Sequence, residues 1–229
     1  MFIAFTNTKG GVGKSTLAAH LVIWLRDRGF NVALLDTDDQ LTAARWIKAA
    51  DPTITVTIAN DMESIQKART ELLRSHDIVI ADTPGKESDA SRTVAFLADL
   101  AIVPLQPSKP DLRAIKDALK SIRLAQEVTG GKRPEAILVL SLTAKGDVQT
   151  RILREQLAAN GFPIARSEIR RLNALRDSCD TAVTRLRPSE AREAAADIDA
   201  LFTELLGERL TPLPRNVQGS TGGKKVANE

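Results

Sequence analysis

The string Lys9-Gly10-Gly11-Val12-Gly13-Lys14-Ser15-Thr16 narrows more than any other feature what this chain can fold into. It follows the apolar run Phe2-Ile3-Ala4-Phe5, which reads as a strand. It opens a segment, residues 14–28, in which Leu17, Leu21, Trp24 and Leu25 recur on one helical face. A phosphate needs several converging N–H donors and close backbone approach, and Gly10, Gly11 and Gly13 carry no Cβ to block it. The helix opening at Lys14 aims its first amides and partial positive charge at the anion. By the mechanics of such loops, Lys14 reaches the β/γ-phosphates and the Ser15 hydroxyl coordinates Mg²⁺. Thr16, one residue on, can meet the α-phosphate. The common form of the loop has a glycine where this chain has Thr8, and here a second lysine, Lys9, precedes the glycine pair.

Two acidic segments accompany the loop. Asp77-Ile78-Val79-Ile80-Ala81-Asp82 is an apolar strand ending in a carboxylate and followed by Thr83-Pro84-Gly85. An Asp at the C-terminal edge of such a strand can hold Mg²⁺ through its water shell. A second strand ends Leu34-Leu35-Asp36-Thr37-Asp38-Asp39-Gln40, and carboxylates spaced i, i+2 leave it on one side. One of them can orient an attacking water and the other can support the metal shell. The plainer readings are a helix N-cap at Asp38 or Asp39 and an ordinary turn after Asp82. Beside the phosphate loop the chemical reading is preferred. The expected metal set is Ser15, Asp36 and Asp82.

The rest of the chain alternates strands and helices. Strands are expected at 2–5, 32–35, 55–59, 77–81, 101–105, 136–142 and 162–165, and helices at 14–28, 41–50, 64–74, 112–128, 150–159 and 189–206. The strands are continuous apolar runs, which fits burial on both faces of a mostly parallel sheet. The fold class is therefore α/β, a three-layer sandwich over residues 1–210. The Pro-, Gly-, Ser- and Lys-rich residues 211–229 are expected to be a flexible tail. No 18-residue apolar run suggests a membrane span, and the first residues do not read as a signal peptide. The single Cys179 cannot form an internal disulfide and reads as an unremarkable thiol, and His20 and His76 lack the neighbours of a zinc site. Between residues 145 and 192 bases outnumber acids, and most are Arg. That suits contact with a phosphate backbone, with a solvated helical face as the alternative.

These motifs resemble the ParA/MinD group of deviant Walker-A ATPases. Lys9–Thr16 looks like its signature loop, Leu34–Gln40 like its second motif, and Asp77–Gly85 like its Walker B segment. Ala101-Ile102-Val103-Pro104-Leu105-Gln106-Pro107-Ser108 is similar to a later strand and loop near the adenine and the dimer contact. The resemblance spans residues 1–205. It implies a P-loop NTPase that hydrolyses ATP with Mg²⁺ and works as an ATP-bound sandwich homodimer. Lys9 would reach across that dimer to the partner's nucleotide, Lys14 would hold the phosphates in its own site, and Asp38 would position the water. Asp39 stands where the family usually has Pro.

Absences select within the group. One cysteine is too few for iron–sulfur relatives, the lack of tyrosine excludes tyrosine-autophosphorylating ones, and the polar tail lacks the amphipathic membrane helix of MinD-like proteins. No helix-turn-helix is read before the loop. The remaining resemblance is to short ParA-type proteins that partition plasmid or chromosomal DNA or distribute carboxysomes over the nucleoid. It implies a cytoplasmic protein that binds DNA non-specifically and has no membrane partner. A ParB-like or cargo-adaptor protein would stimulate hydrolysis. Candidate DNA contacts are Arg166, Arg170, Arg171, Arg185, Arg187 and Arg192. The rivals are a P-loop small-molecule kinase and a nucleotide-dependent accessory of DNA transfer. Thr143-Ala144-Lys145-Gly146-Asp147 is a near match to a guanine-reading loop, but Ala144 lacks the polar side chain expected before Lys, so ATP is preferred.

Overall fold

The computed structural model describes residues 1–107, 119–131 and 133–210. Its seven strands are β1 Phe2–Phe5, β2 Val32–Asp36, β3 Thr55–Ile58, β4 Ile78–Asp82, β5 Leu100–Leu105, β6 Glu135–Thr143 and β7 Ile164–Arg170. They form one sheet in the order β3-β2-β4-β1-β5-β6-β7, with every pairing parallel. The helices are α1 Lys14–Asp27, α2 Thr42–Ala50, α3 Met62–Ser75, α4 Asp89–Leu97, α5 Lys120–Val128, α6 Val148–Ala159, α7 Asn173–Asp177 and α8 Pro188–Leu206.

The apolar strands divide their side chains between two layers. Ile3, Phe5, Leu34 and Ile80 face a core built with α1, α2 and α8. Phe2, Ala4, Leu35 and Val79 face the other side, against α3 and α4. Val103, Leu138 and Leu140 continue that second layer against α5 and α6. The period-2 alternation is thus present, but both faces are covered, so the strands read as unbroken apolar runs.

Three elements escape the sequence pattern, the short helix α7 among them. The structure adds α4, where small residues (Ala90, Val94, Ala95) make the buried stripe and Ser88 with Ser91 forms a reciprocal capping box. β7 runs to Arg170, five residues past the expected strand end. It is an edge strand, and its polar residues are tied to α8: Glu204 accepts from the backbone N–H groups of Arg166 and Ser167, and Asp197 accepts from that of Arg170. The start of the helix expected over 112–128, Ser108 and the tail at 211–229 lie outside the described residues. Among those described, no helix is long and apolar enough to cross a membrane.

The topology decides where a ligand can sit. β1 lies mid-sheet, with β4 on one side and β5 on the other, so the segments leaving their C-terminal ends diverge and open a crevice. In-register pairing of Asp36 with Asp82 sets both carboxylates at that same edge.

Candidate nucleotide site

A cavity of about 520 Å³ occupies this edge. At one end it is lined by Gly10, Gly11, Gly13, Lys14, Ser15 and Thr16, and at the other by Leu142, Arg171, Asn173 and Arg176, with Asp38 and Gly85 also lining it. Gly11 and Gly13 have φ of 72° and 94°, left-handed values that glycine alone adopts cheaply. Gly13 precedes α1 without a side-chain cap, which leaves the first amides of the helix for a ligand. Val12 is buried and anchors the loop from beneath.

Lys14 is only 6% exposed, and its Nζ donates to the Lys9 carbonyl at 3.2 Å. Burial holds its ammonium below the usual lysine range, opposed first by Asp82 and then by Asp38. Asp82 is fully buried, and no donor stands in hydrogen-bond geometry at either carboxylate oxygen. Desolvation pushes it up to about 8. The Ser15 hydroxyl and the Lys14 ammonium favour its charged form, and Asp36 opposes it. A buried carboxylate with both oxygens unsatisfied beside a serine hydroxyl is the arrangement a hard divalent cation completes. Mg²⁺ keeps several water and phosphate ligands, so one carboxylate and one hydroxyl suffice. Accordingly, no cluster of three or more His, Cys, Asp or Glu is needed, and none occurs among the described residues.

Asp36, expected in the metal set, has both oxygens engaged with backbone amides. Its Oδ1 accepts from the Asp38 amide at 3.0 Å and its Oδ2 from the Ala44 amide at 2.9 Å. Burial raises it and these amides lower it. The carboxylate is engaged in bracing the turn and the first turn of α2, so Asp82 and Ser15 remain as the pair that fits the cation. Asp38 is half-buried, with one oxygen accepting from the Gln40 amide at 3.0 Å. Asp39 is exposed and accepts from Asn60 at 3.3 Å, which turns its charge toward the strand after it.

Asn7 was not marked by the sequence, and Gly85 was read only as the close of the Walker-B-like segment. Asn7 is buried, donating to the Pro104 carbonyl and accepting from the Lys9 amide. Gly85 packs on the loop itself: a Cβ there would stand 2.8 Å from Gly10 Cα, 3.2 Å from Gly10 N and 3.5 Å from Lys14 Nζ. Gly85→Ala is therefore expected to push the loop aside and to weaken nucleotide binding about 10-fold, at a stability cost of roughly 1–3 kcal/mol. A fluorescent-nucleotide titration beside a thermal melt measures both.

The six candidate DNA arginines are not brought together as one free set. Arg170 is held by Asp197 at 2.7 Å and Glu193 at 3.3 Å, and Arg185 by Asp27 at 2.6 Å and Asp51 at 3.6 Å. A guanidinium already facing two carboxylates presents little net charge to a phosphate backbone. Arg171 lines the cavity. Arg166, Arg187 and Arg192 are exposed, and Arg166 is 3.7 Å from Glu204. The far end of the cavity is formed by Leu142 and by residues after β7, and residues 101–107, the described part of the loop expected near the adenine, are not among those lining it. Asp147, the residue that would read guanine, caps α6 by accepting from the Gln149 and Thr150 amides.

A glycine-rich loop between the central parallel strand and its helix, with a buried carboxylate ending the neighbouring strand, defines a P-loop nucleotide-binding protein. The chain belongs to the CobQ/CobB/MinD/ParA nucleotide binding domain family, which residues 3–182 match. It is 26% identical over 211 residues to the maintenance of carboxysome distribution protein A of Halothiobacillus neapolitanus, covering 89% of this chain and 95% of that one. It is 25% identical to the protein virC1 of Rhizobium radiobacter, covering 94% and 89%. Among solved structures, an ATP complex of a Cyanothece McdA variant superposes with a TM-score of 0.70 at 12% identity, covering 89% and 95%, a likeness of fold.

Proposed function

We propose that this chain is a Mg²⁺-dependent ATPase whose ATP-bound copies pair face to face, bind DNA without sequence preference and position or segregate a cargo. The observation that carries the reading is the set around the loop: buried Lys14 and orphaned, buried Asp82 beside Ser15, with Asp38 at the same cavity. Lys14 and the amides of residues 10–16 hold the phosphates. Ser15 and Asp82 hold Mg²⁺, which when bound neutralises charge on the phosphate oxygens. Asp38, with one oxygen fixed by the Gln40 amide, keeps the other for the attacking water. Lys9, exposed at the rim, supplies charge to the partner copy's nucleotide. The engagement of Asp147 as a helix cap favours adenine over guanine.

The name of the carboxysome-distribution relative, which this chain matches over nearly its whole length, supports positioning of a cargo. Pairing two copies doubles the exposed bases, so DNA affinity depends steeply on salt and on the dimer. Arg166, Arg187 and Arg192 are the contacts retained for it; a ParB-like or cargo-adaptor protein triggers hydrolysis and release. The protein would work in the cytoplasm, on the nucleoid.

Asp38→Ala tests the reading. Hydrolysis should slow about 100-fold with ATP affinity nearly unchanged. The variant should stay on DNA in ATP, whereas the native protein leaves as ATP is consumed. Equal DNA binding with ATP, ADP or no nucleotide sinks the switch, and phosphate transfer to an acceptor other than water would favour a kinase.

A further inference from the structure

We propose that Asn7 is a positioning residue for hydrolysis: it fixes where Lys9 stands by tying the phosphate loop to the end of β5. This rests on the reading of Lys9 as the charge given to the partner copy.

The chain leaves the sheet just before the loop. The last backbone rung between β1 and β5 on this side is Thr6 N–H to the Ile102 carbonyl, at 3.1 Å. Rungs of a parallel ladder are evenly spaced, so the next carbonyl due a partner is that of Pro104. A side chain supplies it: Asn7 Nδ2 donates to Pro104 at 2.7 Å, across 97 residues of sequence. The other end of the same amide, Oδ1, accepts from the Lys9 backbone N–H at 2.9 Å. The Lys9 carbonyl in turn accepts from Lys14 Nζ. Both backbone polar atoms of Lys9 are thereby held, while its side chain remains exposed at the rim.

The residue type follows from the task. Asn is short enough to turn back on the amide two residues ahead, and it carries a donor and an acceptor on one planar group. Alanine has neither, and Asp would lose the donor and add a negative charge beside the phosphates. Asn7 is 4% exposed; its bond to Pro104 lies away from competing water and its bond to Lys9 is partly shielded. Gly10 and Gly11, next along the loop, are exposed and carry no side chain to hold it. An ammonium that must meet charge developing on another copy's nucleotide tolerates little displacement: about 1 Å can cost 100-fold in rate.

The test is a double-mutant cycle of Asn7→Ala and Lys9→Ala in the full chain, reading steady-state hydrolysis at saturating ATP and affinity for a fluorescent ATP analogue. Asn7→Ala should slow hydrolysis about 10-fold with affinity changed by less than about 3-fold, and the double variant should be no slower than Lys9→Ala alone. Rates that multiply, or an affinity loss as large as the rate loss, overturn the assignment. If Asn7→Ala does not fold, Asn7→Ser, which keeps one polar group, enters the same cycle with the same criteria. Should Lys9→Ala alone leave hydrolysis unchanged, the cross-dimer reading falls and this one with it. Should Lys9→Ala slow hydrolysis while the cycle is multiplicative, only the role of Asn7 falls.

Discussion

Lys14→Ala is expected to lower affinity for ATP about 1,000-fold while leaving the fold intact. The ammonium is almost wholly removed from water, and it donates to the Lys9 carbonyl over a long 3.2 Å contact. Burial therefore disfavours its charge, and Asp82 and Asp38 only offset this. A triphosphate gives the same ammonium fully charged acceptors in a site shielded from solvent. Charge-assisted hydrogen bonds contribute about 1.5–3 kcal/mol each, so two of them account for roughly 4 kcal/mol, or three decades of affinity. Without nucleotide the balance is different. Truncation removes the desolvation cost of the ammonium along with its attraction to Asp82, so the unfolding free energy should move by no more than about 1 kcal/mol. Lys14→Arg should not rescue binding, because a planar fork does not replace a compact point charge beneath a closed loop. Calorimetric titration with ATP, set against a thermal melt without it, separates the two effects. A loss below about 10-fold would mean that the phosphates do not rest on Lys14.

That separation also explains what was legible in the sequence. The placement of Lys14, Ser15 and Asp82 at one sheet edge was readable because each sits in a contiguous string whose order fixes its geometry: strand, loop, helix, or strand and terminal carboxylate. The part Asp36 plays was not readable, because a carboxylate at a strand end looks the same whether it waits for a cation or braces the next helix. Only the amides of Asp38 and Ala44 on its two oxygens decide this. The contacts of Asn7 and Gly85 were hidden for a related reason. Their roles depend on contacts with Pro104 and Gly10, brought close only when β1, β4 and β5 pair. Helix α4 buries mainly small residues while its Phe96 faces solvent, so its apolar period is faint in the sequence. The arginines illustrate the converse. Composition counted a basic run, but folding delivers Asp27, Asp51, Asp197 and Glu193 onto Arg185 and Arg170.

Acid should destabilise the free protein through His20, by about 2 kcal/mol between about pH 7.5 and about pH 5. The ring is fully buried on α1. Its Nε2 accepts from the Val183 amide at 3.3 Å, which leaves the proton on Nδ1, 2.8 Å from the Thr16 carbonyl. The neutral ring is thus satisfied at both nitrogens. A second proton would go onto Nε2, facing a donor and away from water. Burial pushes the group down to about 4 from 6.5, with the Thr16 carbonyl opposing. Between those values the unfolded chain binds a proton that the folded chain refuses. Stability is therefore complete above about pH 6.5 and is lost as pH falls toward 4, by about 3 kcal/mol in all. His20→Gln keeps a donor and an acceptor but loses the edge contact with Trp46, whose ring centroid is 5.2 Å away. It should lower stability at about pH 7.5 by roughly 1–2 kcal/mol and flatten this part of the pH dependence. Urea melts of both proteins at the two pH values give the comparison, with the carboxylate contribution common to both. Parallel pH slopes would show that His20 is not buried neutral. The loss bears on function because Thr16 lines the cavity, while Trp46 on α2 donates to the Thr181 carbonyl at 2.6 Å. His20 and Trp46 therefore hold α1, α2 and residues 181–183 together beneath the phosphate loop, and protonating His20 loosens the support on which Thr16 rests.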